Sequence, residues 1–262
     1  MYISPKKMNS NKTALITGAT SGIGLATAKC FAEHNFNLVL CGRNTEKLQV
    51  LSTTLATSVH TLCFDVRDKT EVSRQLESLP PKFSAIDVLI NNAGNAHGLD
   101  YIQDGSLEDW DAMLDINVKG LLYVAQPIIK KMIAQNSGHI INIGSTAGKE
   151  VYPKGNVYCA SKHAVDALNQ AMRMDLNAHG IRVGAINPGL VETNFSHVRF
   201  KGNEQKAKPV YEGYKALQAE DIADIILFCV TRPYHVNIAD LVVMPTAQAS
   251  STIINKTQAG DL

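Results

Sequence analysis

The sequence predicts an α/β fold: a doubly wound parallel sheet flanked by helices on both faces. Three observations predict it. Short apolar runs alternate with longer segments of helical period along the 262 residues. Several of these runs are apolar on both sides, as strands covered by helices on both faces must be. A glycine string, Thr17-Gly-Ala-Thr-Ser-Gly-Ile-Gly24, follows the first run and opens the first helical segment.

Taken in order, strands are expected at 13–17, 37–41, 59–64, 86–90, 139–143, 181–186 and 240–244. Helical patterns lie between them at 22–34, 45–56, 68–78, 107–134, 157–179 and 220–231. Strand, helix, strand repeated this often calls for a parallel sheet with right-handed crossovers. No linker, internal repeat or low-complexity tract divides the chain, so residues 1–262 are expected to form a single domain. The segment 190–216 follows Pro188-Gly189 and fits neither period. It reads as a substrate loop beside the carboxyl ends of strands, or as a plain surface loop with a short helix.

Composition narrows the class. Lys and Arg number 25 and Asp and Glu 24, a formal charge of +1. That balance gives no reason to expect a nucleic-acid groove or a membrane-surface patch. The five cysteines (Cys30, Cys41, Cys63, Cys159, Cys229) are odd in number and lack metal-ligand spacing, and no metal is expected. Reduced thiols, no signal-like run in Met1–Met8 and no window long enough to span a bilayer predict a soluble cytoplasmic protein.

In the glycine string, Gly18, Gly22 and Gly24 permit a tight turn and a close approach of backbone to a pyrophosphate, with Thr20, Ser21 and Ile23 between them. The amides and positive end of the helix then face the anion. The second strand ends at Gly42-Arg43-Asn44, where an NAD site would carry an Asp or Glu. A missing carboxylate removes repulsion against a 2′-phosphate, and the Arg43 guanidinium can grip one. NADP is therefore expected; the bland alternative is a solvated helix-start arginine. Asp65-Val66 ends the third strand, where an acid can accept from an adenine amino group. Asn91-Asn92-Ala93-Gly94 ends the fourth, either beside the adenosine or as amides that satisfy strand ends.

Tyr158 and Lys162 stand four residues apart on a predicted helix, so they share a face. A phenol with a pKa near 10 is a poor base at neutral pH; a nearby ammonium or an oxidised nicotinamide would favour the phenolate. Ser145, ending the fifth strand, can bond the substrate oxygen as charge develops there. Asn117 lies among apolar neighbours, and a water held between it and Lys162 would lead the proton to solvent. Singly, each residue has a structural explanation; together in one α/β chain they describe hydride and proton transfer at an alcohol or carbonyl.

Over nearly its whole length this pattern resembles the short-chain dehydrogenase/reductase family. The marks are Thr17-Gly-x-x-x-Gly-Ile-Gly24, Asn91-Asn-Ala-Gly94, Asn117, Ser145, Tyr158-x-x-x-Lys162 and Pro188-Gly189. The resemblance implies a Rossmann-type fold with Tyr158 as acid/base, Ser145 placing the substrate oxygen and Lys162 holding the nicotinamide ribose while lowering the tyrosine's pKa. It also implies Asn117 holding a relay water, and Pro188, Gly189, Val191 and Thr193 covering the nicotinamide. The strings 138–148, 195–202 and 232–238 with Met244-Pro-Thr246 look like the NADP-dependent 3-hydroxy acid dehydrogenases, which act on serine and allo-threonine and are similar to homotetramers. Cys159 stands where Gly or Ala is more usual, and Lys149 and Glu150 add charge near the expected pocket. A hydroxy acid needs a cationic partner for its carboxylate, and Arg199 is the candidate, with a surface or subunit contact as its alternative. A broader NADPH-dependent carbonyl or 3-oxoacyl reductase, or a non-catalytic nucleotide-binding scaffold, are the competing readings. The polar tail 250–262 is expected to lie over a neighbouring subunit or to be loose.

Overall fold

Apolar side chains alternate between the two faces of each central strand. Ala14 and Ile16 face one core with Leu38 and Leu40, while Leu15 and Val39 face the other, and all are fully buried. Such two-sided burial is possible only where helices cover both faces. A computed structural model describes residues 12–256. Met1–Met8 and the last part of the 250–262 tail, residues 257–262, lie outside the described residues.

The main sheet contains β1 (Thr13–Thr17), β2 (Asn37–Gly42), β3 (Val59–Cys63), β4 (Val88–Asn91), β5 (Gly138–Ile143), β6 (Ile181–Pro188) and, after the short parallel pair β7 (Val191–Glu192) and β8 (Leu217–Gln218), β9 (Asp240–Val243). Its order is β3-β2-β1-β4-β5-β6-β9, and every pairing is parallel. One face is covered by α1 (Gly22–Glu33), α2 (Thr45–Thr54) and α9 (Ala219–Val230), through Phe31, Leu48, Ile222 and Ile226. The other is covered by α3 (Lys69–Glu77), α5 (Leu121–Gln135) and α6 (Asn156–Leu176), through Val72, Ile128 and Val165. The predicted doubly wound architecture is the one observed.

Two predicted segments differ in detail. The single helix expected at 107–134 is α4 (Leu107–Leu114), one π-helical turn (Asp115–Gly120) and α5. A π turn inserts a residue without breaking the helix, so it leaves little trace in an apolar period. Asn117 sits in that turn, almost fully buried. The 190–216 segment holds β7 and two short helices, α7 (Phe195–Arg199) and α8 (Glu204–Ala207), with β8 beginning at Leu217. Among the described residues no helix is long and apolar enough to cross a membrane.

A buried line of amides ties sheet to helix. Asn91 Nδ2 donates to Asn142 Oδ1 at 2.9 Å, Asn142 Nδ2 to Asn169 Oδ1 at 3.1 Å, and Asn169 Nδ2 to the Ala239 carbonyl at 3.2 Å. Removing the middle member strands a donor and an acceptor in the core. Asn142→Ala is expected to lower unfolding stability by about 2–4 kcal/mol in urea denaturation. A loss under about 0.5 kcal/mol would mean that the line carries no stability.

Candidate active site

The order of strands reverses between β1 and β4, and the crevice at their carboxyl ends is where such sheets bind ligands. Thr17 stitches the two strands together. Its Oγ1 donates to the Ile90 carbonyl at 3.3 Å and accepts from the amides of Asn92 at 3.0 Å and Ala93 at 2.9 Å. Asn92 Nδ2 returns a bond to the Thr17 carbonyl at 2.8 Å. A cavity of about 740 Å³ opens there and runs from the end of β2 to the 190–216 loop.

Gly18 and Gly22 have φ of +66° and +50°, a region favouring glycine. A Cβ on Gly18 would also stand 2.9 Å from Asn92 Nδ2. Thr20, Ser21, Gly22 and Ile23 line the cavity. Gly24 does not; a Cβ there would strike the Gly18 carbonyl and Asn92 Nδ2, so its place is to let α1 pack against the loop. Side chains cap α2 and α3 (Asn44 on the Lys47 amide, Asp68 on the Glu71 amide), whereas α1 has neither a side-chain cap nor an acid in its first turn. Its free amides and positive end open onto the crevice, which suits a pyrophosphate.

At the far end of this half, Arg43, Asn44 and Lys47 line the wall. The Arg43 side chain is 66% exposed and only loosely paired with Asp65, Nη1 to Oδ2 at 3.8 Å, so the guanidinium can turn to a phosphate. Asp65 is already gripped by Arg67, whose Nη2 donates to Oδ2 at 2.7 Å. That hydrogen bond holds the Asp65 carboxyl below its usual range. Val66, Asn92, Ala93 and Gly94 also line the cavity. Asn91 is a correction: it is off the wall, because the amide line described above draws its side chain into the core. These residues fit NADP: uncapped helix amides for the pyrophosphate, and Arg43 with Lys47 for a 2′-phosphate.

Ser145, Tyr158 and Lys162 share the other half of the wall with Pro188, Gly189, Val191, Thr193 and Arg199. Lys162 Nζ donates to the Ile143 carbonyl at 3.0 Å, and burial lowers its pKa to about 8. Ser145 Oγ accepts from the Ala147 amide at 3.1 Å. The Tyr158 phenol does not show the lowered pKa expected beside Lys162. Burial pushes it up first, the Tyr152 phenol adds to that, and Ser145 and Arg199 pull it back. The desolvation of a nearly enclosed ring outweighs those opposing contacts. Asn117 is fixed by three hydrogen bonds. Its Oδ1 accepts from the Asn95 amide at 2.9 Å, and its Nδ2 donates to the Asn95 carbonyl at 2.8 Å and to Ser161 Oγ at 3.0 Å. The side chain thus clamps the Asn95 backbone and Ser161 from behind the wall.

Arg199 comes into the cavity rather than to an outer surface. Nη2 donates to the Tyr152 hydroxyl at 2.7 Å, Nε donates to the Gly98 carbonyl at 3.3 Å, and no carboxylate pairs with it among the described residues. Lys149 and Glu150 do not line the cavity. Lys149 bridges Asp166 at 2.6 Å and Asp240 at 2.7 Å, and Glu150 accepts from the Ser251 amide. Sequence reasoning missed Lys47, Tyr152 and the wall built by Gln248, Ser251 and Lys256. Lys47 was findable one turn beyond Arg43; the others come from distant parts of the chain. Arg43, Lys47, Lys162, Arg199 and Lys256 face one acid, Asp65, across the cavity wall, a balance that favours anionic ligands.

Lys162 provides a test of this burial. The unfolded chain keeps that proton to about pH 10.4, the folded protein only to about 8, so unfolding takes up a proton between those values. Stability contributed by neutral Lys162 is present above about pH 10.4 and lost as the pH falls toward 8. Comparison of cofactor-free parent and Lys162→Met by thermal and urea unfolding is expected to show the parent gaining about 3 kcal/mol on the variant across that window. A difference independent of pH would show that the ammonium does not feel its burial.

The short chain dehydrogenase family model matches residues 12–204. The chain is 44% identical over 236 residues to the NADP-dependent 3-hydroxy acid dehydrogenase YdfG of Salmonella typhi, covering 90% of this chain and 95% of that protein. It is 42% identical over 240 residues to sulfoacetaldehyde reductase 2 of Chromohalobacter salexigens, covering 90% and 95%. Its fold superposes with a TM-score of 0.88 on the closed form of serine dehydrogenase complexed with NADP+, at 41% identity over 91% of this chain and 97% of that one. With its glycine loop, its Ser145, Tyr158 and Lys162 on one wall and these likenesses, the chain belongs to the short-chain dehydrogenase family and is an NADP-dependent oxidoreductase acting on CH–OH groups.

Proposed function

We propose that the chain interconverts small 3-hydroxy acids and their 3-oxo acids, with L-serine, L-allo-threonine and 3-hydroxyisobutyrate as the substrate type. The observation that carries this reading is the Arg199 guanidinium on the same cavity wall as Tyr158 and Ser145, with no carboxylate of the described residues paired to it. A substrate carboxylate docked there by charge-assisted hydrogen bonds would place a carbon a few atoms away beside the phenol. The substrates named for its relatives (3-hydroxy acids, serine, sulfoacetaldehyde) share a short chain ended by an anion, which supports the same reading.

In this reading NADP, when bound, supplies the hydride acceptor or donor. Tyr158 Oη takes the hydroxyl proton in oxidation and returns it in reduction. The Ser145 hydroxyl bonds the reacting oxygen as charge develops on it. Lys162, fixed by the Ile143 carbonyl, holds the ribose side of the cofactor site and keeps a positive charge beneath it. Asn117 keeps the π turn and the Asn95 loop in place behind the wall. Pro188, Gly189, Val191 and Thr193 close the site against water. The same reading takes the protein as a cytoplasmic homotetramer built from single-domain subunits.

Three measurements test it. Purified protein, assayed with both nicotinamides against L-serine, L-allo-threonine, 3-hydroxyisobutyrate, sulfoacetaldehyde and simple ketones, is expected to favour the anionic substrates and NADP. Fast ketone reduction with no signal from any hydroxy acid would transfer the assignment to a broad carbonyl reductase. Tyr158→Phe is expected to cost turnover on the order of 10³-fold while NADP binding stays within about threefold; surviving turnover would remove the phenol from the chemistry. Arg43→Ala is expected to weaken NADPH about tenfold and NADH hardly at all, and equal weakening of both would refute the 2′-phosphate contact.

A further inference from the structure

We infer that Arg199 is also the electrostatic partner of Tyr158, a cation carried by the 190–216 loop and seated over the reactive phenol by Tyr152 and Gly98. The inference rests on Tyr158 being the acid/base and goes beyond anchoring of a substrate carboxylate. The Arg199 guanidinium lies 5.1 Å from the centroid of the Tyr158 ring, 5.7 Å from that of Tyr152 and 5.9 Å from that of Phe195. A cation over an aromatic face is attracted to the ring, and more strongly once the ring carries a negative charge.

The seat is built rather than incidental. Beyond the Tyr152 and Gly98 side-chain bonds already described, the Gly98 amide donates to the Arg199 carbonyl at 2.9 Å, so backbone and side chain of Arg199 grip the same residue. One turn of helix, α7, brings both Phe195, packed 5.7 Å from the Tyr158 ring, and Arg199. The loop behind α7 is held in turn, since the Leu190 amide donates to Gln248 Oε1 at 2.9 Å and Lys256 Nζ donates to the Pro209 carbonyl at 3.1 Å.

Other groups facing the phenol do not replace this cation. From its own helix come Cys159, which opposes ionisation, and Lys162, whose Nζ is bonded to the Ile143 carbonyl. From the segment after β5 come Ser145, which favours ionisation, and Tyr152, which opposes it. Arg199 is the positive group acting on Tyr158 from the loop side, and its pull on the phenol is downward. The proton-accepting form of Tyr158 is therefore favoured by a cation that α7 carries, in addition to the Ser145 hydroxyl.

The test uses an uncharged secondary alcohol, so that carboxylate anchoring plays no part. In the parent, the rate of oxidation rises with pH along a limb set by Tyr158. In Arg199→Met that limb is expected to move up by about one pH unit, costing about tenfold below it, as loss of a unit charge about 5 Å away predicts. Arg199→Lys, which keeps the cation, is expected to recover part of the shift. [13Cζ]-tyrosine NMR of the NADP+ complexes, with the signal assigned by its loss in Tyr158→Phe, is expected to show the same upward movement in Arg199→Met without any turnover. An unmoved limb and unmoved resonance, with only KM for hydroxy acids raised, would reduce Arg199 to a substrate anchor and overturn the inference. Persistence of the limb in Tyr158→Phe would instead strike the acid/base assignment on which the inference rests.

Discussion

The junction of β1 and β4 is the constraint on which the remaining structure depends. Parallel strands need crossovers on one face or the other, and at this junction the winding changes direction, so no helix can fill the space above the strand ends. The chain closes the gap with the Thr17 hydroxyl and the Asn92 amide, which bond across it in both directions. Only glycine at position 18 leaves room for that amide. The crevice is therefore rigid where a pyrophosphate would sit and open where a substrate would enter. The glycine loop, Arg43, Asp65, Asn92 and Ser145 follow the ends of β1 to β5, while α6 and α7 bring Tyr158, Lys162 and Arg199 to the same wall.

Much of that arrangement was legible in the sequence because it is local. A strand apolar on both sides, a glycine string directly after it and a four-residue spacing on a helix each describe geometry within a few residues. The family resemblance added roles to positions already singled out. What escaped was whatever depends on contacts between distant segments. Asn91 and Asn92 are neighbours with the same side chain, yet one points into the core amide line and the other into the loop. Their alternation follows from the strand pleat, but which of them faces the core is decided by Asn142 and Asn169. Asn117 was correctly seen as too polar for its surroundings. Its partners, the Asn95 backbone and Ser161, come from elsewhere in the chain, and the π turn that aims it has no sequence period of its own.

Charge was the least legible property, for a physical reason. Lys149 and Glu150 looked like additions to the pocket, but neither lines it: Lys149 is paired with Asp166 and Asp240, and Glu150 holds the Ser251 amide. Arg199 looked ambiguous, and its meaning appears only when Tyr152 and Gly98 are brought up beside it. Whether a side-chain charge is spent or available depends on what folding places within a few ångströms of it. Composition near +1 says nothing of this, while the cavity wall has five cations and one acid.

The same burial that makes the site selective makes it costly. Lys162 sits in a place that favours its neutral form, and Tyr158 in one that favours its protonated form. A buried pair of this kind does not stabilise a fold, and an apolar pair would pack there with less strain on desolvation. Each group is countered by charge beside it: anions of a bound ligand would favour the ammonium, and Arg199 pulls the phenol back toward ionisation. Stability is given up at the two residues whose protonation matters to the chemistry, and the surrounding aliphatic core, fully buried on both faces of β1, β2 and β4, is what makes that loss tolerable.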